Sequence, residues 1–240
     1  MREEEIGAGL SAVRERIAAA CAAAGRDPAG VTLVVVTKTY PASDVQVLAR
    51  LGVADVGENR DQEAAPKALA VEAAGVQVRW HFVGQLQRNK CRSVVEYADV
   101  VHSVDGVKLA RALGGAAERH RERPLDVLVQ VSIDGDPARG GAVVGAAPTE
   151  ADRDFDRVAL TVAEAPQLRL AGVMAVAPLH WSAEAAFEKL SGVAARLRAA
   201  HPEATAVSAG MSADLEPAIA HGATHVRIGS AVLGTRPKLR

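Results

Sequence analysis

Apolar residues recur along this chain in two alternating rhythms. Ile6, Leu10, Val13, Ile17 and Ala20 are spaced at three or four within an Ala-, Glu- and Arg-rich stretch. That spacing predicts an amphipathic helix over 3–24, with Gly25 as its C-cap. A β-branched run at 31–37 then reads as a buried strand. Short apolar runs at 54–57, 78–84, 98–104, 125–132, 168–176, 204–209 and 224–229 follow. They alternate with helix-period segments at 43–51, 60–74, 89–97, 106–121, 150–165, 182–200 and 213–221. Ser43, Asp105 and Ser182 stand before or at the start of helical segments as candidate N-caps. A Gly-rich stretch over 134–148 has neither period and predicts a long loop.

Strands that are nearly all followed by a helix require parallel pairing through right-handed crossovers. Eight such units in 240 residues predict an α/β protein, a single-domain (β/α)8 TIM barrel over residues 1–240 with an extra N-terminal helix. An open doubly wound sheet is the competing architecture. Its dinucleotide fingerprint is missing from the first βα turn, Thr37-Lys38-Thr39-Tyr40-Pro41.

A barrel collects its working residues at the C-terminal ends of its strands. Those ends carry Lys38, Glu58-Asn59, Gly84-Gln85, His102 to Asp105, Gln130 to Ser132, Met174 to Pro178, Ser208 to Ser212 and Arg227 to Ser230. Taken singly, each has an ordinary reading. Lys38 is a solvated lysine, His81 and His102 are satisfied core histidines, Met174 and Met211 are packing residues, and Asp105 is a helix cap. Taken together they say more. A lysine at the rim of a pocket can act as an amine nucleophile toward a carbonyl. The turns Gly210-Met211-Ser212 and Gly229-Ser230 follow the seventh and eighth strands, where this fold holds phosphate. Arg227, two residues before Gly229, adds a fixed positive charge on the same strand face. A ligand with an aldehyde at one end and a phosphate at the other satisfies both, and pyridoxal 5′-phosphate is such a ligand. A phosphorylated sugar held by a Schiff-base lysine is a weaker alternative.

Composition narrows the function classes. The net charge is −1 and aromatic residues make up 3%, so neither the basic stripe nor the stacking platform of a nucleic-acid binder is present. Cys21 and Cys91 are far apart and no histidine pair has zinc spacing. No GxSxG elbow occurs. The charged start, Met-Arg-Glu-Glu-Glu-Ile, is unlike a signal peptide, and no apolar run approaches a membrane span, so the expected location is the cytoplasm.

Several segments resemble, in order, the YggS/PROSC family of pyridoxal-phosphate-binding homeostasis proteins. They are Val36 to Pro41, Gly57 to Glu63, Trp80 to Lys90, His102 to Asp105, Gly172 to Pro178, Ser208 to Asp214 and Val226 to Gly234. The resemblance implies a barrel of the alanine-racemase type in which Lys38 carries the cofactor as an internal aldimine. It implies that Ser208, Ser212, Gly229 and Ser230 lie around the phosphate and that Arg227 lies near the pyridine nitrogen. Asn59 and Met211 match further pocket positions. The chain departs from the pattern at Arg60-Asp61, Ser132, Arg139, Ala209 and Ser230. The implied function is buffering and supply of the cofactor, with apo-enzymes that need it as partners and a monomer as the expected state. A racemase or lyase is the alternative. Alanine racemases take a catalytic tyrosine from a further β domain, whereas the tyrosines here are Tyr40, expected at the mouth, and Tyr97, expected at the opposite end.

Overall fold

The computed structural model describes residues 1–136 and 139–234. Eight strands form a closed parallel barrel in sequence order, with the first paired to the last. They are β1 (Thr32–Val36), β2 (Asp55–Glu58), β3 (Arg79–Phe82), β4 (Val100–Val104), β5 (Leu125–Gln130), β6 (Leu168–Met174), β7 (Ala206–Ser208) and β8 (His225–Ile228). Around them lie α2 (Ala42–Arg50), α3 (Asp61–Ala73), α4 (Cys91–Tyr97), α5 (Val107–His120), α6 (Phe155–Ala163), α7 (Ala183–Ala200), α8 (Leu215–Ala220) and α9 (Ser230–Leu233), preceded by α1 (Arg2–Ala23). The barrel and the extra first helix agree with the sequence pattern. A last helical turn, α9, follows β8 directly and buries Val232 and Leu233.

Two of the three expected caps differ. Ser43 lies inside α2, which starts directly after Pro41, a residue whose fixed φ suits a helix entry. Asp105 does not cap α5. The first N–H groups of that helix go instead to Asp152, through its carbonyl for Val107 (2.8 Å) and its carboxylate for Lys108 (2.9 Å). Asp105 turns toward the Gly-rich stretch and accepts from the Gly141 N–H at 3.2 Å. Ser182 does cap α7, accepting from the Ala185 N–H at 3.2 Å. Where it is described, the 134–148 stretch is anchored by bridges from Val131 to Ala142 and from Val143 to Asp154; residues 137 and 138 lie outside the described residues.

The periodic face of α1, from Ile6 to Cys21, is buried against the outside of the barrel's closing seam. At Gly9 the backbones nearly touch, since a Cβ there would lie 2.5 Å from the Val232 carbonyl oxygen of α9. Only glycine permits that approach. Arg2 pairs with Asp44 and donates to the Leu233 carbonyl at 3.1 Å. Arg16 bridges Glu216 and the Ser212 carbonyl (3.1 Å). The first helix therefore grips the two chain segments that follow β7 and β8.

The outer core between strands and helices is Val-, Leu- and Ala-rich. The barrel axis is different. Val100, Leu128 and Met174 form a small apolar plug there, and beside it stand three histidines. The rings of His81, His102 and His225 lie 5.1 to 6.3 Å apart, centroid to centroid. His81 Nδ1 is 2.8 Å from His102 Nε2, and His81 Nε2 is 2.8 Å from Asp55 Oδ1 at the lower end. The ordinary reading of His81 and His102 as satisfied core residues is correct, although they satisfy one another. Among the described residues no group of three or more His, Cys, Asp or Glu could hold a metal ion.

Burial lowers the basicity of two of these rings. His102 is driven well below the usual histidine value, with the other rings and Arg227 adding to the effect. His225 is lowered to about 4 for the same first reason. A histidine with a depressed folded-state pKa favours the folded state above its unfolded value and loses that contribution as pH falls through the folded value. Stability should therefore drop from pH 6.5 toward 4, by about 1.4 kcal/mol per pH unit for each of the two rings. Glu58, raised by burial, titrates in the opposite sense, so the comparison that isolates the effect is against His225→Gln. Urea midpoints at pH 7, 6 and 5 should fall less steeply in that variant; equal slopes would refute the assignment.

Candidate functional site

The C-terminal ends of the strands open into a cavity of about 380 Å³. It is lined by Val36 at the end of β1, Lys38 and Tyr40 after it, Asn59 after β2, Val83 after β3 and Val176 after β6. Met211, Ser212 and Ala213 after β7, and Arg227, Gly229 and Ser230 at β8, complete it. Seven of the eight residues expected at a site meet here. The eighth, Ser208, does not border the cavity; it is fully buried, and its hydroxyl lies 2.6 Å from Arg227 Nη1 and 2.9 Å from His102 Nδ1. Met211 is 39% exposed at the rim, so the packing role read for it fails, while Met174 is buried in the barrel plug as a packing residue.

Lys38 sits on a turn that α3 holds rigidly. Thr39 is the one non-glycine residue with positive φ among the described residues, at 69°. Such a backbone costs on the order of 1–3 kcal/mol and persists where its surroundings impose it. Here the Thr39 N–H donates to the Glu63 carboxylate (3.1 Å), and the Thr37 carbonyl accepts from the Lys67 ammonium (2.8 Å). Lys67 also pairs with Glu58, which accepts from the Thr37 hydroxyl at 2.6 Å. Burial dominates at Glu58, so its carboxyl lies above the usual range despite Lys67 and Thr37, and its second oxygen has no hydrogen-bond partner. Gly84 completes this corner: a Cβ there would lie 2.1 Å from the Asn59 carbonyl oxygen, so the loop after β3 closes directly on Asn59.

Arg227 is 6% exposed. It donates to Ser208 and, through Nη2, to the Ala175 carbonyl at 3.0 Å. No ion pair to it is found among the described residues. Burial lowers its pKa to about 10, with Asp214 acting the other way, so it stays cationic at neutral pH. The Met211 N–H donates to Asp214 at 2.6 Å, fixing the turn after β7. Beyond Gly229, α9 spans only four residues. Its dipole is correspondingly small, and anion affinity at this turn rests on the N–H and hydroxyl groups themselves. The Tyr40 hydroxyl, at the mouth as expected, donates to the Gly234 carbonyl at 2.7 Å. Tyr97 lines a concavity at the opposite end, also as expected.

That opposite concavity is larger, at about 740 Å³, but three of its arginines are already engaged. Arg79 and Arg169 both pair with Asp126, and Arg121 donates to the Val95 and Ala98 carbonyls. The smaller cavity at the mouth holds the amine, the fixed charge and the hydroxyls in one space. The sequence reading passed over Glu63 and Lys67, which hold the turn. Their i, i+4 spacing directly after Gly57-Glu58-Asn59 is a signal that one helix face points at that turn.

The donor set fits pyridoxal 5′-phosphate in kind: one cavity holds an amine on Lys38 that an aldehyde could meet, hydroxyl and N–H groups at Ser212, Gly229 and Ser230 that could hold a phosphate, and the Arg227 guanidinium. The sequence model of the alanine racemase N-terminal domain matches residues 9–237. A pyridoxal phosphate homeostasis protein of Mycobacterium leprae is 44% identical over 97% of this chain and 93% of its own length. One from Escherichia coli K12 is 37% identical over 97% of both chains. The structure of PipY of Synechococcus elongatus with PLP bound superimposes with a TM-score of 0.79 at 31% identity, over 95% of this chain and all of that one. Alanine racemase from Corynebacterium glutamicum, 17% identical with a TM-score of 0.69, shares the fold. The chain belongs to the alanine racemase N-terminal domain family and, within it, to the YggS/PROSC proteins.

Proposed function

We propose that this protein is a reversible carrier of pyridoxal 5′-phosphate that buffers the cofactor and supplies it to enzymes that need it. The observation that carries this reading is the single cavity lined by Lys38, Arg227, Ser212, Gly229 and Ser230. When bound, the cofactor supplies an aldehyde with which a lysine amine condenses, releasing water. Lys38 presents that amine from a turn with little freedom to move. Ser212, Ser230 and the backbone N–H groups of the two turns hold the phosphate. Arg227, a cation that cannot give up its proton at neutral pH, disfavours a protonated ring nitrogen and so weakens the ring as an electron sink.

Carriage is favoured over racemisation by the state of Tyr40. A two-base racemase needs a second acid or base facing the first. Tyr40 is the tyrosine at this mouth, and its hydroxyl is committed to the Gly234 carbonyl. The mouth is also open, with Met211, Val176 and Ser230 exposed at its edge, which suits release.

Borohydride reduction of the loaded protein followed by peptide mass spectrometry should find the cofactor on Lys38. Lys38→Ala should lose that adduct and retain weakened, reversible binding; an adduct that persists would move the site to another amine, Lys67 being the buried candidate next to the turn. Incubated in deuterated water with a panel of amino acids, the loaded protein should show no sustained exchange at Cα. Turnover there would make the protein an enzyme and overturn carriage as its role.

A further inference from the structure

Ser208 is 0% exposed, and its hydroxyl has two neighbours. Arg227 Nη1, at 2.6 Å, can only donate. The hydroxyl accepts there and keeps its own proton to give to the other neighbour, His102 Nδ1 at 2.9 Å, which is unprotonated when it receives it. His102 is deeply buried and held neutral, so its one proton sits on Nε2 and points at His81 Nδ1, 2.8 Å away. His81 then carries its proton on Nε2 and donates to Asp55 Oδ1, again at 2.8 Å. Burial pushes the Asp55 carboxyl upward, but its hydrogen bond with His81 and the nearby Arg79 outweigh this, so it stays ionised and accepts. With one proton on each ring, a donor-only group at one end and an acceptor-only group at the other leave one consistent orientation for every link.

We infer that Asp55, His81, His102 and Ser208 form a one-way hydrogen-bonded column along the barrel axis that holds the Arg227 guanidinium against the ring-nitrogen side of the bound cofactor, with Ser208 positioning Arg227 and not binding phosphate. The ligand in this statement rests on the proposed function; the column itself belongs to the protein without ligand. Arg227 is anchored at two points, Ser208 through Nη1 and the Ala175 carbonyl through Nη2, so its remaining N–H groups are presented to the cavity in one orientation. Hydrogen bonds aligned in one direction polarise one another. The column thus links a buried cation near the mouth to an anion near the barrel floor without bringing the two into contact.

Histidine-selective ¹⁵N NMR of the ligand-free protein at neutral pH reads the column directly. His81 and His102 should each appear as a single neutral tautomer protonated on Nε2. A doubly protonated ring, or Nδ1–H in either, overturns the one-way orientation. The role toward Arg227 is read with two probes, pyridoxal 5′-phosphate and pyridoxal, which lacks the phosphate. Ser208→Ala should weaken binding of both by a similar factor, roughly tenfold, because the lost anchor is on the ring side. Ser230→Ala should weaken only the phosphorylated probe. If Ser208→Ala spares pyridoxal, Ser208 is a phosphate ligand; if it spares both, the anchor is immaterial, and either result overturns the assignment. Should the alanine variant fail to fold, Ser208→Thr, which keeps the hydroxyl, should bind both probes and keep the wild-type tautomers, and altered tautomers in that folded variant would count against the column. Wild-type protein that binds neither probe would defeat the proposed function while leaving the tautomer result to stand or fall alone.

Discussion

The constraint on which the interior of this barrel depends is the charge of Arg227. A guanidinium this buried is costly unless its donors are met, and among the described residues no carboxylate pairs with it. A barrel filled with branched apolar side chains could not hold it. The axis therefore departs from the Val, Leu and Ile layers usual for the fold and carries Ser208, His102, His81 and His225 beside a reduced plug of Val100, Leu128 and Met174. Burial keeps His102 and His225 weakly basic, so the cation does not face further positive charge there. The acid sensitivity expected of the fold and the presentation of a positive group at the mouth thus share one origin.

A second constraint acts from outside. The turns after β7 and β8 are short, and α8 and α9 have too few residues to be stable by themselves. α1 supplies what they lack. Gly9 lets it lie directly on α9, Arg2 ties down the end of α9, and Arg16 reaches the Ser212 carbonyl. On the other side of the cavity, α3 does similar work for Lys38 through Glu63 and Lys67. Lys38 and the turns after β7 and β8 are each braced by a helix that contributes no residue to the cavity wall.

The fold was legible in the sequence because alternation of buried strands and amphipathic helices is a property of one-dimensional spacing. The rim residues followed from it, since the C-terminal strand ends converge by topology; Lys38, Asn59, Arg227 and Ser230 needed no contact information. What spacing does not encode is which neighbour meets a polar atom. Ser208 shares a strand end with Ser212, yet its hydroxyl lies below the cavity between Arg227 and His102. Asp105 precedes a helix in a cap-like position, yet the cap comes from Asp152, some forty residues away. His81 and His102 read as separate core histidines because their partnership exists only once β3 and β4 are side by side. These cases are of one kind: a polar side chain has several local partners available, and tertiary distance selects among them.

The same contrast bears on why a barrel shared with racemases suits carriage. Catalysis on this ring requires two proton-transfer groups facing each other across it, and a ring able to accept charge. Here Lys38 stands on a braced turn, and Arg227 in the same cavity is lowered by burial only to about 10, still a cation at neutral pH. The tyrosine at the mouth is turned away to a backbone carbonyl. The fixed parts are those that hold a cofactor, and the open edge at Met211, Val176 and Ser230 leaves the cavity reachable from outside.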